Sequence, residues 1–374
     1  MLKKKKIIYL DHAASTPISN EVIRDIKNFI SYYGNPSSVH FKGEEAKNKI
    51  EKCREEIANY IGAKKEEIFF TSGATESNNT IIKGIAKYNK EKKKILISEI
   101  EHSSVIESCN YLKKEGFEIE KIKVTKEGII DLKDLKSKID DKTLIVCVMH
   151  VNNEIGTIQP IKEISKICKE KKVYFHSDMV QSFTKIDINI KKIDIDFASF
   201  SGHKINALKG IGFFYMKKGL KIEPLINGGG QEKNIRSGTE NFLGIVSIAS
   251  AIKIKRNREK IRKQRDLILN KLLKIKGAKL NGSLEKRIYN NINVSFEGVD
   301  AENMVFMLSE KGVCVSSGSA CSSRDLYQSH VLKAIGLKEK QIKSSIRITI
   351  DEMENEEIEY FIKSLKYIIN KLKK

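Results

Sequence analysis

Between Ile68 and Met216 the chain repeats one pattern: a short apolar run, a turn of polar and glycine residues, then a stretch with helical spacing. "IFFT" leads into "SGATESNNTIIKGIAKY", "KILIS" into "EIEHSS" and a helix through Tyr111, and "KTLIVCVMHV" into "NNEIGTIQP" and a helix from Ile161 to about Lys171. "KVYFHSD", "IDFASF" and "GIGFFYM" come next as short strands. Strands that alternate with helices predict an α/β fold, a mostly parallel central sheet flanked by helices. In such a sheet the carboxyl ends of the strands share an edge, and ligands bind beyond it.

The residues just past each predicted strand are therefore informative. "SGAT" (Ser72–Thr75), His102, Asn153, Asp178 and Lys204 all occupy such positions. A glycine-rich turn, a histidine, a carboxylate and a lysine are thus delivered to the same edge. This set suggests pyridoxal 5'-phosphate, since a lysine condenses with its aldehyde and a carboxylate keeps its ring nitrogen protonated. At ~4 Å and an effective dielectric of ~20 that charge pair contributes roughly 4 kcal/mol, or about three pK units before desolvation. "SGAT" opening a helix offers N–H groups and a hydroxyl to a phosphate, and Ser201 and His203 add donors. His102 is placed to stack on the ring and move protons. Taken singly, the lysine reads as a loop residue, "SGAT" as a helix cap and Asp178 as a turn residue; convergence is what points to a cofactor.

After Lys253 the pattern changes. A long basic helix to about Ile275 precedes strand-like pieces ("NNINVSFEG", "GVCVSS", "SSIRITI") and a last helix that starts acidic and ends basic, which suits its macrodipole. With 374 residues and 40% hydrophobic content, two domains are expected. Residues 17–252 form a large cofactor-binding α/β domain in this reading, and 1–16 with 253–374 a smaller α+β domain.

The formal net charge is +21, yet the lysines are spread along the whole chain with abundant Ile and Asn, the bias of an AT-rich genome. The run Lys253–Arg265 has no interleaved aromatic residue, so no direct nucleic-acid binding is expected. It reads as a solvated helix face that could also attract an acidic partner. The six cysteines include no C-x-x-C pair, so neither a metal site nor a disulfide framework is expected. The N-terminal apolar run "IIYL" is too short for a signal peptide, and no segment reaches ~18 apolar residues. The expectation is a soluble cytoplasmic protein without membrane contact.

The stretches "YLDHAASTP", "YGNPSSVH", "TSGATESNN", "EHSSVIES", "HVNNEIGTIQP", "FHSDMVQS", "SFSGHK", "KGIGFFY", "GGGQEKNIRSGTEN", "SSGSACSS" and "SSIRITI" span nearly the whole chain. In that order they resemble the cysteine desulfurases of the NifS/IscS type, fold-type I pyridoxal-phosphate transferases of the class V aminotransferase group. The resemblance implies that Lys204 is the Schiff-base lysine, His102 the stacking acid–base histidine, Asp178 the partner of the ring nitrogen and Gln181 that of the ring hydroxyl. Ala74, Thr75, Ser201 and His203 would hold the phosphate. Thr239 would reach the phosphate of the other subunit, which implies a homodimer. Asn153 and Arg347 would bind substrate, Arg347 as a fork for the carboxylate.

Cys321 would be the nucleophile. It sits in "SSGSACSSRD", a run of small polar residues poorly suited to rigid packing and expected of a mobile loop. The implied reaction converts L-cysteine to L-alanine and leaves a persulfide on Cys321. An iron–sulfur scaffold or a tRNA-thiolation protein would accept that sulfur, with Cys321 open to transient contact with an iron–sulfur cluster. The nine residues "SSRDLYQSH" after Cys321 resemble the long-loop group of these enzymes. Where the family usually shows Gly-Pro after "SGHK", this chain has "INALKG", a change expected to alter loop stiffness beside the cofactor. The competing readings are a selenocysteine lyase or another β-lyase using the same cofactor, and a non-catalytic basic binding protein on the same fold.

Overall fold

The computed structural model describes residues 7–318 and 329–373. A two-residue strand, β1 (Ile8–Tyr9), precedes the seven that make the central sheet. These are β2 (Ile68–Thr71), β3 (Lys94–Ser98), β4 (Glu118–Ile122), β5 (Thr143–Cys147), β6 (Tyr174–Asp178), β7 (Phe197–Ser201) and β8 (Gly212–Met216), in the order β2-β8-β7-β6-β5-β3-β4. The β7–β6, β6–β5, β5–β3 and β3–β4 pairs are parallel, while β8 is antiparallel to both its neighbours. Residues 202–211 are too few to carry a crossover helix, so β8 returns beside β7 in the opposite sense. β2 then runs parallel to β7, and β2, β3, β5, β6 and β7 all end at one edge.

Both faces of this sheet are covered. Alternate residues go to opposite cores: Ile68, Phe70, Ala198, Phe200, Phe213 and Tyr215 to one, Phe69, Phe197, Phe214 and Met216 to the other. Burial on both sides is why these strands read as continuous apolar runs. β4 does not read that way. It is the edge strand, with Glu118 exposed and Glu120 half-buried, and such charges discourage pairing with another chain.

Three further strands, β9 (Ala278–Leu280), β10 (Asn291–Phe296) and β12 (Ser345–Thr349), form an antiparallel sheet in the order β12-β10-β9, while β1 pairs in parallel with β11 (Val313–Cys314). A separate core packs here, joining Ile8 and Leu10 to Val294, Ile348 and, from the helix Asn355–Leu372, Phe361 and Leu365.

The basic helix starts at Arg258 rather than Lys253, because the Asn257 side chain accepts the Lys260 N–H and caps it. Lys253, Arg258, Lys260, Arg262, Lys263 and Arg265 each lie within 4.0 Å of a carboxylate oxygen. Much of the charge on this segment is therefore answered within the chain.

Among the described residues, one ion pair has both side chains buried. Arg54 donates to Glu232 through Nη1 and Nη2, both at 2.7 Å, and Glu232 also accepts the Phe70 N–H of β2 at 2.8 Å. Glu232, Lys233 and Asn234 have φ of 45°, 57° and 65°, a run of non-glycine left-handed residues. Such backbone costs roughly 1–3 kcal/mol per residue and persists only where the surroundings dictate it; the Arg54 fork does so here. Glu232→Ala is expected to destabilise the chain by about 3 kcal/mol, since it removes the two-pronged partner of a buried guanidinium and leaves it only the more exposed Glu51 carboxylate. Glu352→Ala, which removes an exposed pair, should cost no more than ~1 kcal/mol. Urea midpoints for the two variants and wild type test this.

Candidate active site

At the shared strand edge lies a cavity of about 820 Å³. Ten of the residues singled out from sequence line it: Lys204, His102, Asp178, Gln181, Ala74, Thr75, Ser201, His203, Asn153 and Arg347. Thr239 is exposed and is not part of the wall. Cys321 lies outside the described residues. The described chain on either side of it is tied to that wall. Ser316 exchanges backbone hydrogen bonds with Arg347, Ser329 donates its hydroxyl to Glu154 at 2.6 Å, and His330 Nε2 meets the Glu101 carbonyl at 2.9 Å.

Asp178 ends β6 and is 5% exposed. Its Oδ1 accepts from Val180 N–H at 3.0 Å and its Oδ2 from the Asn78 amide at 3.1 Å. It has no ion-pair partner among the described residues. A buried carboxylate held only by neutral donors is a site for a cation. Lys204 follows β7 in a tight helical turn, and its Nζ donates to the carbonyls of Ala13 and, at 2.6 Å, Ala14. Gln181 donates to the Ala13 carbonyl at 3.0 Å, so the N-terminal segment gathers both side chains.

The helix Ala74–Tyr88 starts at this edge with no side-chain cap. Gly73, just before it, has φ +156°, and a Cβ on Gly212 of β8 would lie 2.6 Å from the Gly73 Cα. Two backbones touch there, which only glycine permits. The first N–H groups of the helix, with the Thr75 and Ser201 hydroxyls, make a cradle for an anion. Burial, then the charges of Lys204, Lys209 and Lys185, pushes His203 down to about 4, so it sits neutral beside that cradle. The cation site, the anion cradle and the lysine amine line one cavity and fit pyridoxal 5'-phosphate.

Arg347, on β12, is 1% exposed. Its Nη2 pairs with Asp11 at 2.7 Å and its Nη1 donates to the Asn153 carbonyl at 3.2 Å, while Nε has no partner among the described residues. Two of the five guanidinium N–H groups are thus engaged within the chain, and others remain for a ligand carboxylate. The "INALKG" segment is held by Asn206, at φ +72°. Its N–H donates to Thr16 Oγ1 at 2.7 Å and its side chain to the Pro17 carbonyl at 2.8 Å. Asparagine tolerates that conformation, and its two hydrogen bonds tie the segment to the N-terminal strap.

Two buried groups at the site are not marked by the sequence. Lys185 lies behind Gln181, with Nζ 3.4 Å from Oε1, and burial followed by the Lys204 and Arg256 charges lowers it to about 7. Glu101 is 1% exposed; its Oε1 accepts from the Ser98 hydroxyl and, at 2.8 Å, from Met149 N–H, and its Oε2 has no partner among the described residues. Desolvation pushes it up to about 8. Nothing in "EIEHSS" separates this glutamate from a loop residue, because its burial comes from segments distant in sequence.

Glu101 makes stability pH-dependent. Unfolded, it ionises near 4.5; folded, it keeps its proton to about 8. Between those values the folded state binds more protons, so raising the pH weakens folding by about 1.4 kcal/mol per unit at most. Glu101→Gln, which keeps an acceptor for Ser98 and Met149, should remove that slope. Urea unfolding of both proteins from pH 5 to 8 tests it, with the variant gaining on wild type as pH rises.

Comparison with known proteins agrees with this geometry. Residues 8–361 match the family of class-V aminotransferases. A cysteine desulfurase IscS of Dictyoglomus turgidum is 44% identical over 99% of this chain and 96% of its own length. Among solved structures, a NifS-like protein superposes with TM-score 0.92 at 36% identity, covering 98% of this chain and 100% of that one. A structure described as SspA in complex with cysteine gives TM-score 0.84 at 36% identity, over 92% of this chain and 99% of the other.

Proposed function

The chain belongs to the class-V aminotransferase family, and within it we propose that it works as a pyridoxal-phosphate-dependent cysteine desulfurase. The observation that carries the reading is the single cavity wall shared by Lys204, Asp178, the Gly73 turn and Arg347. Bound there, pyridoxal 5'-phosphate supplies an electron sink that acidifies the α-carbon of an amino acid.

The chain's own residues do the rest. Asp178 holds the ring-nitrogen proton, Gln181 the ring hydroxyl, and Ala74, Thr75, Ser201 and His203 the phosphate. Arg347 and Asn153 orient the substrate, with Asp11 fixing the guanidinium. The Lys204 amine takes the α-proton. The Cys321 thiolate attacks the substrate sulfur; an S–S bond forms as the Cβ–S bond breaks. The electron pair of that bond stays with the substrate; Cβ takes a proton, the Lys204 ammonium returns one to the α-carbon, and alanine leaves. The persulfide on Cys321 then passes its sulfur to an acceptor, an iron–sulfur scaffold or a tRNA-thiolation protein.

We place the protein in the cytoplasm; among the described residues no helix is long and apolar enough to cross a membrane. The large domain would span 17–252, and the small one 1–16 with 253–374. A homodimer would bring Thr239 to the partner's phosphate. Two features favour it: the exposure of Thr239, and the apolar side chains of Ile30, Tyr33, Val39 and Phe41, which are 67–103% exposed on one short segment.

The protein loaded with cofactor and given L-cysteine with a reductant should release alanine and sulfide. Lys204→Ala should lower the rate at least about a hundredfold, and Cys321→Ala should stop both products. Cofactor binding without alanine release would sink the assignment, and a preference for selenocysteine would move it to the lyase. For the dimer, light scattering should give twice the chain mass. Thr239→Val should then weaken cofactor retention on dialysis about ten- to hundredfold without changing that mass; a monomer that holds the cofactor equally well would refute the shared site.

A further inference from the structure

Behind the cavity wall, two consecutive residues each carry a cost in stability. Thr184 has φ +63°, a left-handed conformation that is strained for a β-branched side chain. Lys185, next to it, is 7% exposed, and its amine has no ion-pair partner among the described residues. The turn is fixed from outside. Arg256 Nη1 donates to Thr184 Oγ1 at 3.3 Å, and Arg258 Nη2 to the Thr184 carbonyl at 3.1 Å. The Lys185 side chain reaches back to Gln181, whose Oε1 lies 3.4 Å from Nζ. Backbone strain beside a buried amine, both held in place by the surrounding structure, is a combination that points to function.

Gln181 is held at both ends of its amide. An ammonium only donates and a backbone carbonyl only accepts, so Oε1 faces Lys185 and the NH₂ group faces the Ala13 carbonyl, 3.0 Å away. The NH₂ group has a second N–H, and Gln181 lines the large cavity. Behind it Lys185 shares a void of about 10 Å³ with Lys204, Arg256, His12, Tyr289 and Asp351. Burial, then the charges of Lys204 and Arg256, lowers Lys185 to about 7 against the pull of the Asp351 carboxylate. From the cavity side His203 also feels the Lys185 charge. A buried amine with one neutral acceptor is a place for negative charge, just as Asp178 with its neutral donors is a place for positive charge.

We propose that Lys185 is a positioning residue that acts through the Gln181 amide as the positive counterpart of Asp178, so that the cavity is matched to a ring with a positive nitrogen and a negative oxygen. This rests on the reading of the cavity as a pyridoxal-phosphate site in which Gln181 meets the ring hydroxyl. A hydroxypyridine carries both charges when the hydroxyl proton resides on the nitrogen, with no change in net charge. Asp178 stabilises that proton at the nitrogen. The Lys185 charge, relayed by the Gln181 dipole, stabilises the oxygen that gave it up. Low local dielectric makes both effects large, which gives the fold a use for an amine that is costly to bury.

The test is equilibrium binding of two ligands to the full chain, pyridoxal 5'-phosphate and its analogue without the ring hydroxyl, for wild type and Lys185→Met. The variant should hold pyridoxal 5'-phosphate about tenfold more weakly and the analogue as tightly as wild type does. Methionine fills the space without a buried charge, so the urea midpoint of the variant without cofactor should equal or exceed that of wild type. In a Gln181→Leu background, where Lys185 has lost its acceptor, the same substitution should cost less than about threefold. Equal weakening of both ligands overturns the proposal, because a merely structural role would produce it. No weakening of either overturns it too, and a full tenfold loss in the Gln181→Leu background refutes the relay. A wild type that binds neither ligand refutes the cofactor site and this inference with it. One that binds both and releases no alanine from L-cysteine sinks the desulfurase reading alone, and the binding ratio still decides this one.

Discussion

Everything at the site depends on the register of the parallel strands. A strand end is a backbone constraint, set by ladder hydrogen bonds that cannot slip by one residue without turning every side chain to the opposite face. β6 and β7 pair so that Asp178 lies opposite Ser199. β8 turns back antiparallel and lets β2 end at the same edge. From that alignment come the Gly73 turn, His102, Asn153, Asp178 and Lys204, drawn from segments far apart in the chain. The close approach of Gly212 to Gly73 belongs to the same alignment, for any side chain at Gly212 would push the turn away.

Burial then tunes the chemistry. Water is the strongest stabiliser of a charge, and removing it favours whichever form is neutral. Glu101 keeps its proton, His203 loses its own, and Lys185 approaches neutrality, each because the wall excludes solvent. Asp178 and Arg347 are held differently. Asp178 has two neutral donors and no cation among the described residues, whereas Arg347 gives one N–H to Asp11 and one to the Asn153 carbonyl, two of its five. The cavity thus presents a place for positive charge at one point and a place for a carboxylate at another. An amino acid joined to a protonated ring needs both.

Fold class and most of the site are legible in the sequence. Doubly covered strands are apolar at nearly every position, so "KILIS" and "FASF" stand out, as do the polar residues that end them. β4 does not, because an edge strand with Glu118 and Glu120 lacks the apolar run. The start of the basic helix is hidden because Asn257, its cap, lies inside a stretch of lysine and arginine that reads as uniform. The same stretch reads as a free basic face, since three of its partners (Glu56, Asp187 and Glu352) come from remote segments.

The residue types and their spacing determined, without help, the α/β class, the strand-end edge and the identity of the lysine, carboxylate, histidine and glycine turn that meet there. Local sequence suffices for these because strand periodicity and turn chemistry are local. Tertiary structure alone decided which carboxyl is neutral, which arginine N–H groups are already engaged, and that Asn78 holds Asp178. Those properties depend on desolvation and on donor direction, and both are set by neighbours that only folding brings together.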